Sequence, residues 1–257
     1  MRKLFRLLKY LEYQWRAKTK YYLHSPFVYQ FYLNVIEGKN DESVIHINTL
    51  RQKLQTGSAI ISVTDFGTGN SIRRKISSLE KDVAVTKKYG ELLHRIVKHF
   101  QPEVVLELGT SLGVSSAYMA LANPKARIIS IDGSFEICQY AGENHTMLGV
   151  KNIEVLNGNF DALLPDVLKE MKVGSFIFFD GNHTREATLR YFELCLEKAN
   201  EQSIFVFDDI YWSREMSEAW RIIQQHPTVT LSIDVYQFGI CFFRKEKLVK
   251  ENFVLRY

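Results

Sequence analysis

Acidic residues end four of the five short apolar runs in the second half of the chain. These runs end at Glu107, Asp132, Asp180 and Asp208, and Asp209 follows the last of them. A single such residue is commonly a helix cap or a turn former. Carboxylates gathered at one sheet edge cost electrostatic energy unless they face cations, hydroxyls or other donors. The set therefore indicates a ligand that offers positive charge or hydroxyl groups.

A glycine loop follows the first of these runs. Gly109 allows a tight turn, and Gly113 lets the start of the next helix approach a ligand closely. The next strand ends in Asp132, which is placed to accept hydrogen bonds from ribose hydroxyls. A second glycine loop, at 67–71, follows a strand-like run at 59–66, but the sequence after it reads as polar and helical with no second strand. The loop at 109–113 is therefore the predicted nucleoside site.

The spacing of this loop distinguishes between nucleoside cofactors. A dinucleotide site is expected as GxGxxG, which presents amides to a pyrophosphate. Here the pattern is Glu107-x-Gly109-x-x-x-Gly113, and a carboxylate at that point repels a pyrophosphate but orients an amino-bearing cation. The pattern favours S-adenosylmethionine, which carries a sulfonium, an α-amino group and a ribose. An NAD-dependent oxidoreductase is the alternative enzyme, because Asp132 also suits the ribose of NAD.

The elements that must position these residues alternate regularly from residue 104 onward. Strands are predicted at 104–108, 127–132, 153–157, 175–180 and 204–208, with helices at 114–122, 134–148, 161–171 and 184–199. Such alternation implies βαβ units and a parallel sheet. The runs 228–236 and 238–245 predict a C-terminal antiparallel hairpin. The predicted fold is a Rossmann-like doubly wound α/β sheet (residues 85–257), preceded by a mostly helical N-terminal extension (residues 1–84).

Positive charge is concentrated at the N-terminus. The 257-residue chain has a net charge of +4, and residues 1–20 hold seven basic residues against Glu12, so the remainder is slightly acidic. A fold-wide nucleic-acid surface is not supported. Leucines and Trp15 recur at helical spacing in this segment, which predicts an amphipathic helix. It is expected to dock on the domain or on a second subunit, as in a homodimer, and contact with an anionic membrane surface is the alternative.

Cysteine use and hydropathy indicate the compartment. Cys138, Cys195 and Cys241 lie far apart with no CxxC spacing, which argues against a zinc site and a disulfide framework. No window approaches the roughly 18 apolar residues of a membrane-spanning helix. No signal-peptide pattern is visible at the N-terminus. A cytoplasmic protein without a transmembrane segment is therefore expected.

Four segments together resemble class I S-adenosylmethionine-dependent methyltransferases. They are "VVLELGTSLGVSS" (104–116), "IISIDG" (128–133), "FIFFDGNHT" (176–184) and "FVFDDIYW" (205–212). The resemblance covers roughly residues 85–245 and is greatest to the catechol and caffeoyl-CoA O-methyltransferase branch. Within that branch, the chain resembles a bacterial group of methyltransferases whose members share the segments "HSPFVYQFY" and "DFGTG". The resemblance implies that residues 85–257 form a methyltransferase domain that acts on an oxygen of a small-molecule acceptor.

The resemblance also implies a set of cofactor-binding residues. A segment before the helix that begins near Gly90, residues 85–89, would lie near the methyl group and is a candidate lid. The implied contacts are Glu107, Gly109, Ser111, Gly113 and Ser115 near the amino acid end, Asp132 and Gly133 at the ribose, Asn159 and Phe160 at the adenine, and Asp180 near the sulfonium.

A metal site is implied in the same way. The catechol branch holds a divalent cation at the ends of the fourth and fifth strands, which here implies Asp180, Asp208 and Asp209 as ligands of Mg²⁺ or Ca²⁺. Such an ion would lower the pKa of an acceptor hydroxyl. Asp209 stands where the family has Asn, and His183 stands where it has Lys. Asp180 and His183 are the candidate catalytic residues, with His183 as general base; capping and loop-lining roles are the alternatives.

Other functions are less well supported by the sequence. Amino-directed nucleic-acid methyltransferases carry an Asn/Asp-Pro-Pro-aromatic tetrad after the fourth strand, whereas this chain has "DGNH" at 180–183. A non-catalytic binding module that keeps the fold is a further alternative. The loop at 67–71 is interpreted as a turn that brings Arg73, Arg74 and Lys75 toward an acceptor, or as a structural turn before a solvated basic helix.

Overall fold

Short β-branched and aromatic runs form the strands, and the amphipathic stretches between them form the helices. The structure is a computed structural model that describes residues 2–65, 70–246 and 249–257. The helices in chain order are α1 (Arg2–Arg16), α2 (Pro26–Phe31), α3 (Ser43–Thr56), α4 (Ile76–Asp82), α5 (Lys87–Phe100), α6 (Val114–Ala122), α7 (Phe135–Met147), α8 (Phe160–Glu170), α9 (Arg185–Leu196) and α10 (Arg214–Gln225). The strands are β1 (Ile60–Asp65), β2 (Asn70–Lys75), β3 (Val104–Leu108), β4 (Arg127–Asp132), β5 (Ile153–Asn157), β6 (Phe176–Phe179), β7 (Ile204–Phe207), β8 (Leu231–Asp234), β9 (Gly239–Phe242) and β10 (Glu251–Val254).

These elements fall into two units, of which the first is Gly38–Glu170. Its parallel strands lie in the order β3-β4-β5, with Leu106 opposite Ile129 and Asp132 opposite Asn157. Val105, Leu106, Ile128 and Ile129 of β3 and β4 are buried, as expected for strands covered on both faces. The carboxyl ends of β3 and β4 therefore present Glu107 and Asp132 at the same edge.

The first unit also contains an antiparallel hairpin that the sequence reading missed. Strands β1 and β2 pair from Ile60 opposite Lys75 to Asp65 opposite Asn70. The expectation of helical sequence directly after the second glycine loop is wrong for residues 70–75, which form β2, and α4 begins only at Ile76. Arg73 and Lys75 alternate with Ile72 and Arg74, a period of two that the polar composition obscured. Residues 66–69 at the turn lie outside the described part of the chain.

The second unit joins Met1–Glu37 to Met171–Tyr257. Its strands lie in the order β10-β8-β9-β7-β6, where β6 and β7 are parallel and β7-β9 and β8-β9 are antiparallel. The five parallel strands and the C-terminal hairpin predicted from the sequence are confirmed. Strand β10 was not predicted, and it adds a further parallel strand beside β8. Aromatic packing fills this core, with Phe179 and Phe207 stacked at 4.3 Å between ring centroids.

The predicted domain boundary and the expected absence of a membrane-spanning helix are compared with the structure separately. The predicted boundary between residues 84 and 85 differs from the division into these two units and stays a prediction. Among the helices of the described ranges, none has the length and apolar composition needed to cross a bilayer.

Candidate functional site

The loop after β3 takes an unusual backbone path. Gly109, Ser111 and Gly113 all have positive φ angles, of 107°, 47° and 74°. The Gly109 N–H donates to the carbonyl of Ile131 at 2.9 Å, and the Ser111 N–H donates to Asp132 Oδ2 at 3.0 Å. A left-handed serine is uncommon and costs free energy that surrounding contacts must supply. The loop is therefore a fixed feature held against the end of β4.

Glu107 is fully buried beneath this loop. Its Oε2 accepts a hydrogen bond from the Ser130 hydroxyl, whereas its Oε1 is buried and has no hydrogen-bond partner among the described residues. Burial raises the pKa of Glu107 to about 7, against the opposing effect of hydroxyls led by Ser115. The Ser111 hydroxyl is a second buried oxygen in this loop that lacks a hydrogen-bond partner in the described part of the chain. Unpaired buried polar atoms are rare and costly, and these two suit a ligand that brings its own donors.

Asp132 connects β4 to the glycine loop. Its carboxylate accepts the backbone N–H groups of Ser111 and, at 2.9 Å, of Ser134. Burial raises the pKa of Asp132, and the backbone hydrogen bonds from Ser134 and Ser111 oppose that change. The Asn157 side chain donates to the carbonyls of Asp132 and Gly133 at 3.1 and 3.0 Å. The acidic group and the turn after it are thus held in place without a ligand.

The predicted adenine residues begin α8. Asn159 Oδ1 accepts the N–H of Asp161 at 2.8 Å, and Phe160 is the first residue of the helix, half-buried. An Asn in this position satisfies a helix N-terminus that would otherwise lack partners. The structure brings Asn159 and Phe160 into the same unit as Glu107 and Asp132, and their adenine role stays a prediction.

Two residues of α7 that the sequence reading missed hold the glycine loop from behind. Asn144 Nδ2 donates to the carbonyl of Leu112 at 2.9 Å, and His145 Nε2 donates to the carbonyl of Gly113 at 3.0 Å. Burial lowers the pKa of His145 to about 4, so the imidazole is neutral at neutral pH. These contacts join residues that are 32 positions apart in the sequence, so no local sequence pattern predicts them. Their polarity on the buried face of α7 is the one sequence feature that marks them.

The β1-β2 hairpin packs on the turn that follows Asp132. The Ser62 N–H donates to Glu136 Oε2 at 2.6 Å, and the Ser134 hydroxyl donates to the Ser62 carbonyl at 3.1 Å. Arg74 pairs with Asp82 at 3.0 Å. The predicted acceptor role of the basic residues in β2 stays a prediction, and the 67–69 turn lies outside the described residues.

The candidate lid segment is fixed by a buried ion pair. Arg51 lies 2.8 Å from Glu80 and donates to the carbonyl of Val85 at 2.5 Å. Val85 is buried, and Tyr89 is in the first turn of α5. Gly90 packs on the ring of Tyr118, where a Cβ atom would lie 2.3 Å from the ring. Movement of this segment is untested and stays a prediction.

The acidic residues of the second unit gather after β6 and β7. Asp208 is buried, and burial together with the Asp209 charge raises its pKa to about 8. The Asp180 side chain opposes this rise in the pKa of Asp208. His183 Nε2 lies 3.7 Å from Asp180 Oδ1. Burial lowers the pKa of His183 and the Asp209 charge opposes this, so burial favours the neutral imidazole.

This cluster contains the three predicted cation ligands. Three carboxylates are suitable donors for Mg²⁺ or Ca²⁺. Within residues 2–65, 70–246 and 249–257, however, no group of three His, Cys, Asp or Glu side chains is arranged to hold a metal ion. The arrangement does not fit a bound cation, and ligation by Asp180, Asp208 and Asp209 stays a prediction from the resemblance.

Aromatic residues beyond β7 contact the N-terminal helix. The guanidinium carbon of Arg6 lies 4.6 Å from the ring centroid of Trp212, and the Tyr211 hydroxyl donates to Asp234. Both aromatic side chains thus have partners within the second unit.

The comparisons with known proteins agree with this arrangement. A family model described as "Methyltransferase domain" matches residues 106–210, from the end of β3 to just beyond β7. Residues 106–210 of this chain therefore match a methyltransferase domain. The resemblance stated from the sequence motifs is thereby confirmed, and the matched residues contain every predicted site residue.

Two relatives are catechol O-methyltransferases. That of Niastella koreensis is 26% identical over 132 residues, covering 50% of this chain and 58% of the relative. That of Bos taurus is 30% identical over 109 residues, covering 40% of each chain. The chain therefore spans only about half the length of the curated relatives it matches.

A solved structure shows the shared fold. The O-methyltransferase TomG from Streptomyces achromogenes, crystallised with S-adenosylmethionine, is similar with a TM-score of 0.57 at 18% identity, covering 84% of this chain and 95% of that one. At this identity the likeness establishes the Rossmann-like fold alone.

Proposed function

We propose that the protein transfers a methyl group from S-adenosylmethionine to an oxygen of a small-molecule acceptor. The observation that carries this proposal concerns Oε1 of Glu107, a fully buried carboxylate oxygen below a glycine loop. It has no hydrogen-bond partner among the residues that the structure describes. A ligand ammonium supplies the hydrogen bonds and the charge that this oxygen lacks. A pyrophosphate offers neither. The catechol O-methyltransferase relatives support the same reaction class.

The residues of the first unit hold the methyl donor. Glu107 binds the amino group, Asp132 accepts from the ribose hydroxyls, and Asn159 with Phe160 flanks the adenine. Gly109, Ser111, Gly113 and Ser115 shape the loop, and Gly133 continues the ribose turn. The bound donor supplies an electrophilic methyl group on a sulfonium. Burial of the glycine loop excludes water from its amino acid end.

The residues of the second unit prepare the acceptor. His183, kept neutral by burial, accepts the proton of the acceptor hydroxyl as the oxygen–carbon bond forms and the carbon–sulfur bond breaks. Asp180, 3.7 Å away, orients the imidazole and stabilises the positive charge it gains. No step in this sequence passes through a metal ion.

Activity on a panel of hydroxylated acceptors tests the reaction. Methyl transfer from S-adenosylmethionine to at least one hydroxylated small molecule is expected, and His183→Ala should lower kcat by roughly 10²-fold or more, since general bases contribute about that much. His226→Ala is the matched control, because that histidine lies in the loop after α10 and pairs with Glu193 at 3.6 Å. Transfer to no acceptor would favour the non-catalytic binding module.

Removal of metal ions tests whether methyl transfer depends on the predicted cation. Without a metal-dependent step, activity should survive EDTA and gain little from added Mg²⁺. Loss of activity in EDTA with recovery in Mg²⁺, together with loss in Asp208→Ala, would establish metal assistance instead.

Affinity for S-adenosylmethionine should depend on pH through Glu107. The pKa of about 7 in the free protein must fall when an ammonium binds, so the affinity should rise as pH increases through 7. Below that pH it should fall by up to about tenfold per pH unit. Calorimetry at about pH 6 and about pH 7.5, below the usual titration of an α-amino group, measures the change. The dependence should flatten in Glu107→Gln, and an unchanged slope in that variant would contradict the assignment.

A further inference from the structure

One face of α1 carries large apolar side chains that the rest of the described chain leaves in solvent. Trp15 is 88% exposed, and each leucine is more than half exposed. These residues, the leucine stripe, are Leu4, Leu7, Leu8, Leu11 and Trp15. Their spacing of three and four places them on one side of the helix. Contiguous exposed apolar patches of this kind mark interaction surfaces.

The opposite face of α1 is already docked within its unit. The Tyr13 hydroxyl donates to the Leu255 carbonyl at 2.7 Å, and the Tyr236 hydroxyl donates to the Arg6 carbonyl at 3.2 Å. The rings of Tyr10 and Tyr236 meet edge to face at 5.0 Å. These contacts fix the rotation of the helix about its axis. The leucine stripe therefore points outward because the other face is anchored.

The charge around the stripe indicates what covers it. Residues 1–20 carry a net charge of +6, whereas the rest of the chain is slightly acidic. Arg2, Lys3, Arg16 and Lys18 are exposed in this segment. Pairing of two stripes from two copies would bring two strongly basic helices together, and like charges repel at that distance. An anionic surface gains from the same charges.

The residues beside the stripe suit the boundary of a bilayer. Tyr21 and Tyr22 follow α1 and are largely exposed. Tyrosine and tryptophan are enriched at membrane–water interfaces, because their rings are apolar and their polar atoms reach water. A basic amphipathic helix with leucines and a tryptophan on its apolar face lies in the plane of such an interface.

We propose that the leucine stripe of α1 binds an anionic membrane surface. The leucines and Trp15 enter the boundary between headgroups and acyl chains, and the exposed basic residues contact lipid phosphates. The rest of the protein stays in water, attached through the docked face of the helix. This binding does not depend on the methyl-transfer reaction.

Sedimentation with lipid vesicles tests the proposal. The full-length protein should sediment with phosphatidylcholine vesicles that contain phosphatidylglycerol, much less with phosphatidylcholine alone, and less again in high salt. Emission from Trp15 should shift to shorter wavelength on binding, and Trp15→Phe should remove the shift. Leu8→Gln with Leu11→Gln should abolish sedimentation. Val173→Gln is the matched control, since Val173 is 60% exposed outside α1, and it should bind like the wild type.

Charge reversal provides a second readout. Lys3→Glu with Lys18→Glu should weaken binding to anionic vesicles by roughly tenfold or more, because each basic residue near the surface adds to the attraction. Circular dichroism checks that each variant is folded. Failure of the wild type to sediment with anionic vesicles would overturn the proposal. So would a dimer that Leu8→Gln with Leu11→Gln converts to a monomer without any vesicle binding, which would make the stripe a contact between copies.

Discussion

Asp132→Ala should lower the affinity for S-adenosylmethionine by roughly a hundredfold or more. Two hydrogen bonds from ribose hydroxyls to this half-buried carboxylate contribute about 1.5–3 kcal/mol each, and 1.4 kcal/mol corresponds to a factor of ten. The same carboxylate accepts the N–H groups of Ser111 and Ser134, so its loss also releases the glycine loop. Calorimetric titration of the variant against the wild type measures the effect.

Two further variants make this result specific. Asp132→Asn keeps the shape of the side chain and one acceptor oxygen, so it should recover part of the affinity lost in Asp132→Ala. Asp166→Ala removes an exposed carboxylate of α8 that pairs with Lys169 at 2.8 Å, and it should bind like the wild type. Near-UV circular dichroism separates lost binding from lost folding. Wild-type affinity for S-adenosylmethionine in a folded Asp132→Ala protein would show that Asp132 does not contribute to the cofactor site.

Gly113→Ala should destabilise the protein by several kcal/mol, considerably more than Gly149→Ala. Both glycines have left-handed backbone conformations, with φ of +74° and +70°. A side chain in the left-handed region destabilises either variant by about 1–2 kcal/mol. A Cβ atom on Gly113 would lie 2.5 Å from His145 Nε2. At Gly149, apart from its chain neighbours, no atom of the described residues lies within 4 Å of that position. Overpacking typically adds about 1–3 kcal/mol. Urea unfolding of the two variants measures the difference.

A double variant tests the cause of this difference. His145→Ala removes the obstructing imidazole together with its hydrogen bond to the Gly113 carbonyl. In the His145→Ala background, Gly113→Ala should destabilise the protein clearly less than it does in the wild type, because the two positions interact and their effects are not additive. Ala141 Cβ, 3.0 Å from the added atom, still narrows the space. Equal destabilisation by Gly113→Ala in both backgrounds would show that His145 does not limit the space at the glycine loop.

The strand ends were predictable because they depend on local pattern. The apolar runs that end at Glu107 and Asp132 have the length and β-branching of buried strands, and a parallel sheet brings their ends to one edge. The hydrogen bond from the Ser111 N–H to Asp132 follows from that topology. The buried environment of Glu107 follows from its place in an inner strand.

The residues that support the site were not predictable, for reasons of distance and pattern. Asn144 and His145 contact the loop across 32 residues, and only the packing of α7 brings them there. Strand β2 was missed because its basic residues lack the apolar alternation of a buried strand. Strand β10, four residues long, gains its structure from pairing with β8, and such tertiary pairing outweighs weak local preference.

The cofactor is the central claim, and a calorimetric titration of the wild-type protein with S-adenosylmethionine and, separately, with NAD tests it most directly. We predict binding of S-adenosylmethionine at about pH 7.5, with one molecule bound per chain, and no detectable heat with NAD. At about pH 6 binding should release a proton from Glu107. Binding of NAD, or the absence of S-adenosylmethionine binding by the folded protein, would contradict the account.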